Sequence, residues 1–423
     1  MYTAPRILPF NAHFSAKILH LLLLLGCFSG YAQIVGCTDI QATNYNAEAT
    51  VNNGGCIYED TIVTPSSSID LPGELLETSG LLFWNNQLLT HNDSEDTNLY
   101  AVNPENGKIT EQFPLDGMVN TDWEEITQDQ EFIYIGDFGN NLSGNRKDLK
   151  ILRVSKKSLL QKKPAIDTIN FSYTDQTDFS PKSGNTTDYD CEAFFATSDS
   201  LYLITKQWTG QRSKIYTLPK NPGNYKAQFK TEIDVQGLTT GAAFVKEINL
   251  LVLSGYGTSL EPFLFLIYDF QAFDFKTGNK RKLRLELPFA QVEGIATQDG
   301  RNFYLTNEYF AKPPFVNSPQ RLHLFNLNSY LSEYYEREQL KEDLNEKATG
   351  LIIYPQPTTG LISIAGLPFA SSYRYQISGV NGELLQLGTL EDADESIDLS
   401  PFSNGIYFLK LDNQKAALKI VKR

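Results

Sequence analysis

The sequence predicts an all-β chain built around a five-bladed β-propeller, with room for a sixth, irregular blade, and a small separate β-domain behind it. Three observations predict this. The 423 residues hold 26 Phe and 22 Tyr against 2 Met, a balance that favours strands over helical bundles. Between residues 69 and 327 a diverged pattern of four short apolar runs recurs every 45 to 68 residues, and four strands per repeat make a propeller blade. At residue 349 the composition returns from a charged stretch to short strands. A two-sheet sandwich is the competing architecture for 69–327, but it leaves sheet edges unpaired and does not explain five aligned repeat openings.

The N-terminus comes first. Arg6 and Lys17 precede the apolar run Ile18–Gly26, about nine residues and too short to span a bilayer. With the small or polar stretch Ser29–Gln33 it predicts a cleaved secretory signal over 1–33. Leu24-Leu25-Gly26-Cys27 also resembles a bacterial lipobox, in which Cys27 would be lipidated; ordinary cleavage near Ala32 or Gln33 is the preferred reading. Without residues 1–33 the chain keeps 34 basic and 50 acidic side chains, a net charge of −16. Such a balance excludes nucleic acid or an anionic membrane as partner, since both would repel it. No second apolar stretch is long enough to span a membrane.

Residues 34–60 form a short Cys-bracketed module, G-C-T-D-x₄-N-Y-N-x₄-T-x₂-N-G-G-C. It resembles a small unit found near the ends of secreted surface proteins of the Bacteroidetes group. Export predicts a Cys37–Cys56 disulfide, worth about 3 kcal/mol by loop closure, and leaves Cys191 as a free thiol. Asp39, Asn44, Asn46, Asn52 and Asn53 could offer oxygens to Ca²⁺, but Asn-rich turns form without metal, and the turn reading is favoured. Residues 61–68 read as a linker by composition.

The repeats open at Glu77-Thr78-Ser79-Gly80-Leu81, Asp122-Trp123-Glu124-Glu125-Ile126, Asp190-Cys191-Glu192-Ala193-Phe194, Leu238-Thr239-Thr240-Gly241-Ala242 and Gln291-Val292-Glu293-Gly294-Ile295. The fifth repeat has no fourth strand after 327, and Ser68-Ile69-Asp70-Leu71 is expected to supply it and close the ring. The sixth blade would fit the 68 residues between Glu124 and Glu192. Residues 328–348 are highly charged and read as a solvated connector, helical or extended.

Residues 349–423 begin with Tyr354-Pro355-Gln356-Pro357-Thr358-Thr359-Gly360 and end with Gly405-Ile406-Tyr407-Phe408-Leu409-Lys410 and the basic tail Lys419–Arg423. They resemble the C-terminal sorting domain of the type IX secretion system, whose motifs are Y-P-N-P-x₂-G and G-I-Y-x-(V/L)-K/R; Gln356 replaces the usual Asn. The resemblance implies an immunoglobulin-like sandwich. It also implies export through the type IX machinery by way of residues 349–423, and a place outside or on the outer surface of a Gram-negative cell. A plain adhesive immunoglobulin-like domain is the alternative.

In a propeller the innermost strand of a blade starts on the face where the second strand ends, so these positions converge on one mouth of the central channel. They supply Glu77, Asp122, Glu124, Asp190, Glu192 and Glu293, with His91-Asn92-Asp93, Asp137, Asn140, Asn141, Lys206 and Asn307-Glu308. Carboxylates crowded there raise each other's pKa unless a cation separates them, and hard oxygen ligands suit Ca²⁺. Glu124, Glu192 and Glu293 share one column of the repeat and are the first choice as ligands. Asp137 and Asn307 are the second. The alternative is that these side chains cap strand ends and bond backbone N–H groups between blades. Thr90–Ser94 and Asp122–Ile126 are similar to T-H-N-D-S and D-W-E-E/D-I stretches of a group of secreted bacterial propellers, a distant likeness to calcium-dependent lactonase, phytase and esterase-like propellers.

Nucleophilic chemistry finds little support. Only His91 and His323 remain after signal cleavage, and His91, Asp93 and Ser94 are neighbours in sequence without implying a triad. Cys191 suits a buried, inert thiol. There is no Gly-rich phosphate loop and no Cys/His zinc spacing. Two functions are therefore expected: a surface-displayed binding or scaffold propeller with Ca²⁺ at its mouth and a glycan, small molecule or other surface ligand as partner, or a calcium-dependent hydrolase. No catalytic residue is assigned.

Overall fold

The computed structural model describes residues 33–349, 351–365, 367, 372–391, 395–412 and 417–423. The expected export signal, apart from Gln33, and the lipidation reading of Cys27 fall outside them. The chain is all-β in character. Four antiparallel strands make each repeat: Thr78–Trp84, Gln87–Asn92, Asn98–Val102 and Ile109–Pro114 in unit one. Unit two has Trp123–Gln128, Phe132–Asp137, Lys150–Ser155 and Ile166–Tyr173. Unit three has Asp190–Ala196, Ser200–Lys206, Ser213–Pro219 and Gly223–Ile233. Unit four has Leu238–Val245, Leu250–Tyr256, Pro262–Tyr268 and Asn279–Leu285. Unit five has Val292–Thr297, Asn302–Asn307 and Arg321–Asn326, and its fourth strand is Ser67–Asp70 from the N-terminal side.

The first strand of every unit contacts the first strands of both neighbours, the fifth returning to the first, so the five form a closed ring. The apolar cores agree with this arrangement, because each lies between two adjacent units. Leu89 meets Ile133 between units one and two, Tyr134 meets Phe194 between two and three, and Phe195 meets Leu253 between three and four. Leu264 and Phe303 share the core between units four and five, and Leu322 joins Leu88 between five and one. Each such side chain, fully buried, contributes roughly 1.5–3 kcal/mol. A propeller-like ring follows from strands that are buried on both faces, as Leu250–Tyr256 is along its whole length.

Several boundaries differ from expectation. No strand stands between Tyr173 and Asp190 among the described residues, so the long gap holds loops and the short helix Lys156–Leu160 rather than extra blade strands. The fourth strand of unit three, expected from sequence over Thr231–Val235, starts eight residues earlier at Gly223, because its outer half alternates exposed and half-buried positions and carries little apolar signal. Units two and three are joined by parallel pairing of their outer strands, Ile169 opposite Gly223. The 61–68 segment is not a free linker: Ile62–Val63 adds to unit four and Ser67 opens the closing strand. His323 pins that strand, with Nδ1 2.7 Å from the Ser68 hydroxyl and Nε2 2.8 Å from Asn307 Oδ1.

Cys37 and Cys56 form the expected disulfide, and Cys191 is free and buried. The module they bracket is docked on unit four. The Asp39 carboxylate accepts from Tyr58 and Tyr268 hydroxyls at 2.9 and 2.6 Å, and Arg281 donates to Gln41 Oε1 at 2.6 Å. The oxygens of Asn46, Asn52 and Asn53 accept backbone N–H groups of local turns, and that of Asn44 accepts from Ile57 N–H across the module.

The charged stretch after 327 is the helix Asn328–Thr349, and its start is not solvated. Leu331, Tyr334 and Tyr335 are buried in the core between units four and five, and the Tyr335 hydroxyl donates to Gly300 O at 2.6 Å. Behind it lie a three-stranded sheet (Ile352–Tyr354, Leu361–Ala365, Ile397–Asp398) and a four-stranded one (Leu384–Leu390, Tyr373–Gly379, Gly405–Leu411, Leu418–Lys422). Ile362, Ile377, Leu409 and Ile420 fill the core they share, separate from the ring's cores. No helix among the described residues is long and apolar enough to cross a membrane.

Candidate functional site

The mouth is made by one irregularity repeated five times. Each first strand carries a β-bulge against its second strand, and the unpaired stretch holds Ser79, Glu124, Glu192, Thr240 or Glu293. A bulge re-aims a side chain off the ladder, which is why bulges recur at functional sites. One residue later Gly80, Gly241 and Gly294 let the strands approach so closely that a Cβ there would overlap the neighbouring backbone.

Inner strands have a free edge facing the axis, and its polar groups need partners. Short polar side chains supply them. Ser79 Oγ donates to Glu124 O at 2.5 Å, Thr240 Oγ1 to Val292 O at 2.6 Å and Ser254 Oγ to Glu293 O at 2.7 Å. Glu125, fully buried, does the same for three donors. Its carboxylate accepts from the N–H groups of Leu81 (3.2 Å), Ile126 (2.9 Å) and Ala242 (2.8 Å), tying units one, two and four together. The sequence leaves a scaffold role open for the column as the alternative to metal binding; Glu125, next to the column, is the side chain that takes that role.

Glu124, Glu192 and Glu293 behave differently. Among the described residues no backbone N–H donates to any of their carboxylates. Glu124 and Glu192 come together with Asp190, their oxygens within 4.8 Å of one another and all three residues buried. Asp190 is held in place by Asn140 N–H at 2.6 Å and Trp208 Nε1–H at 2.6 Å. Gly139 closes the other side: its backbone lies so near Glu124 and Asp122 that a Cβ would occupy the space of their carboxylates. Lys206, 4% exposed at its side chain, pairs with Glu192 at 3.2 Å, donates to the Tyr256 hydroxyl at 3.2 Å and lies over the Trp208 ring at 4.6 Å.

Glu293 is within electrostatic reach of Lys206, Glu308 and Asp93. Asp137 is held by Arg146 at 2.7 Å and Lys150 at 2.6 Å. Asn307 donates to Glu308 O and Pro319 O at 2.8 and 2.9 Å while its oxygen faces His323. Protein partners thus occupy both second-choice positions, whereas Glu124 and Glu192 share one space. Asp190, Lys206, Trp208, Tyr256 and Gly139 complete that space; the first two were visible as mouth residues, while the aromatics gave no signal because they look like ordinary blade residues.

Burial first, then neighbouring carboxylates, raises Glu124 and Glu192 well above the usual carboxylate range. Burial also raises Glu293 there, and Asp122 to about 6, Glu308 to about 7 and Asp93 to about 8, again with like charges adding. Lys206 opposes the effect at each of these except Asp93. A single ammonium reaching one of three clustered carboxylates leaves the others uncompensated. The donor set, all hard oxygen, fits Ca²⁺.

Catalytic alternatives lose their geometry. His91 is fully buried, edge-on to Trp123 at 5.7 Å, and burial lowers its pKa to about 4. The Ser94 hydroxyl donates to Glu77 at 2.9 Å, not to His91. Burial also pushes the Cys191 thiol far up, away from reactivity.

Residues 352–423 match the family model of the secretion system C-terminal sorting domain. That match covers the two-sheet domain and not the ring. The chain therefore carries a secretion sorting signal at its end, and the protein is secreted. No curated protein matches the chain in sequence. Solved structures similar to it include U3-55K (8% identity, 62% of this chain and 99% of that one, TM-score 0.35) and the RRP9 WD40 repeats (7%, 63% and 100%, 0.35). A chain of the mitotic checkpoint complex is similar at 12% identity, over 62% of this chain and 95% of that one, with a TM-score of 0.32. Likenesses so remote say nothing about activity.

Proposed function

We propose that this is a surface-displayed binding protein of a Gram-negative bacterium: a five-bladed β-propeller holding Ca²⁺ at its mouth, delivered by an immunoglobulin-like type IX sorting domain. The observation that carries the reading is the buried meeting of Glu124, Asp190 and Glu192, with no backbone donor on either glutamate among the described residues. Those three would hold the ion, Lys206 would offset one further charge, and Gly139 would keep the space open. Bound there, Ca²⁺ supplies charge compensation and a rigid centre around which the mouth loops are ordered. Hydrolysis asks for more, an open coordination position and a base with room for substrate, and Glu124 and Glu192 are only 7% and 3% exposed.

Calorimetric titration of the metal-stripped chain with Ca²⁺ tests this. One site is expected, and at a hundredfold excess over Kd the ion stabilises by about 2.7 kcal/mol, a rise in Tm of about 5–10 °C. Glu124→Gln removes one charge without disturbing any hydrogen bond and should abolish most of that rise. A wild-type melting curve unmoved by chelator and by Ca²⁺ would leave the mouth as scaffold. Delivery is tested separately. Deleting residues 349–423 should leave a folded ring stranded in the periplasm, because the two-sheet domain has its own core. Normal surface delivery of the truncated chain would overturn the sorting role.

A further inference from the structure

Between residues 72 and 327 eight large apolar side chains are exposed, and six of them sit on the face that carries the mouth: Leu76, Val119, Leu142, Phe289, Tyr309 and Phe315. The placement follows from topology. All six lie in connections that lead into a first strand or out of a second one. Leu160 and Phe229 are the exceptions. An asymmetry of this kind marks an interaction surface, since exposed aromatic area in a secreted chain carries an aggregation cost without a partner.

The densest part lies over units one and five. Tyr309 N–H donates to Leu76 O at 2.8 Å, which puts the two side by side. Phe289 stands two residues before Gln291, whose carbonyl accepts from Glu308 N–H at 3.1 Å. Beyond Tyr309 the chain makes a hairpin found in no other unit, Phe310–Lys312 paired with Val316–Ser318, and Phe315 at its tip is 90% exposed. Beside this apolar ridge are Glu77, Asp93 and Glu308. Asp93 N–H donates to Glu77 O at 3.1 Å, and Asp93 Oδ1 is buried without a donor. Among the described residues the cations close by are Lys206, engaged with Glu192, and Lys312, lying over the Phe310 ring at 5.6 Å.

We propose that this ridge docks a basic, aromatic- or aliphatic-flanked segment of a partner protein, its Lys or Arg entering between Glu77, Asp93 and Glu308 while its apolar side chains cover Leu76, Tyr309 and Phe315. Charge complementarity selects the partner. A neutral glycan would stack on the aromatics but bring no positive charge to the three acidic side chains, and an anionic membrane would be repelled. The centre of such an interface is an aromatic anchor, and Phe315 is placed as one. The inference rests on the surface-display reading but uses other residues than the proposed cation site.

Fluorescence anisotropy with three synthetic peptides, each about 12 residues long and so able to span the ridge in extended form, tests it on the chain from residue 34 to 423. They are alternating Lys-Phe, Lys-Ser and Glu-Phe sequences. The Lys-Phe peptide is expected to bind at least tenfold more tightly than either other peptide. The double substitution Phe315→Ser with Tyr309→Ser, both at exposed sites, should erase that preference, while Leu160→Ser on the opposite face leaves it intact. The preference is read both at saturating Ca²⁺ and in chelator, so that failure of the Ca²⁺ reading, seen in the melting curves, is distinguished from failure of this proposal. Equal binding of all three peptides, or a preference that survives the double substitution, would overturn the proposal. So would binding of neutral oligosaccharides that depends on Phe315 without any preference for the Lys-Phe peptide.

Discussion

Replacing Glu125 by Ala should destabilise the ring by about 4 kcal/mol, the largest loss expected from any single polar side chain in it. Glu125 is the side-chain acceptor for the N–H groups of Leu81, Ile126 and Ala242, which face the axis where no further strand can pair with them. Truncation leaves three buried donors from units one, two and four unsatisfied, at roughly 1–3 kcal/mol each, softened by whatever water enters the space. For a ring of this size the Tm should fall by about 10 °C. Glu125→Gln should cost less, since its one carbonyl oxygen still accepts from two donors while its NH₂ opposes the third. A thermal melt of the mature chain and its two variants checks the order. A loss under about 1 kcal/mol for Glu125→Ala would mean that the inner edges are satisfied by other means.

In chelator, stability should fall as pH rises from about 4 to 8, the reverse of ordinary acid denaturation. Asp122, Glu308 and Asp93 titrate in the folded chain at about 6, 7 and 8, raised by burial and by one another. The folded state therefore binds more protons than the unfolded chain across this window, and ∂ΔG/∂pH is negative. For Asp122 alone, a rise from 3.8 to about 6 costs about 3 kcal/mol once both states are ionised. Arg146 and Lys206 pull Asp122 down, and Lys206 pulls Glu308 down, without bringing either back to the ordinary carboxylate range. Carboxylates lowered by their partners, such as Asp129 beside Lys220, lose their contribution only below about pH 4, whereas His91 and His323, lowered by burial to about 4, gain stability as pH rises to about 6.5 and offset part of the slope below that pH and none of it above. Saturating Ca²⁺ should flatten the slope, because a cation stabilises the ionised forms. Melting at about pH 5, 6.5 and 8 with and without the ion reads this directly. A Tm that climbs across that range in chelator would show that the mouth is ionised without penalty.

Much of the architecture was legible because it is periodic. The repeat openings, the second strands and the missing fourth strand of unit five are local patterns, and Ser67–Asp70 does pair with Arg321–Asn326. The Cys37–Cys56 bridge followed from export and spacing, and residues 352–423 carried paired motifs at fixed distance. The outer strand of unit three runs well beyond its apolar signal, since an exposed edge needs no apolar run. The start of the helix Asn328–Thr349 looks solvated in sequence because Tyr334 and Tyr335 sit among Glu and Arg, although the core they enter belongs to units four and five.

The site divides along the same line. Order in the sequence determines that Glu124, Glu192 and Glu293 share a column, because each holds the same place in the opening of its repeat. Which of them meet is decided by the ring. Glu124 and Glu192 stand on adjacent units, whereas unit four, with Thr240 in the column, separates Glu192 from Glu293. Alternation along a strand would send Glu124 and Glu125 to opposite faces, and the bulge at Glu124 turns one to the mouth and leaves the other on the axis. Asp137 and Asn307 looked equally available as strand-end oxygens, yet Arg146 and Lys150 reach the first and His323 the second. A sequence lists donors and charges along one dimension; which carboxylate keeps a partner and which is left for a cation depends on distances across the ring, and those exist only once the fifth unit has closed on the first.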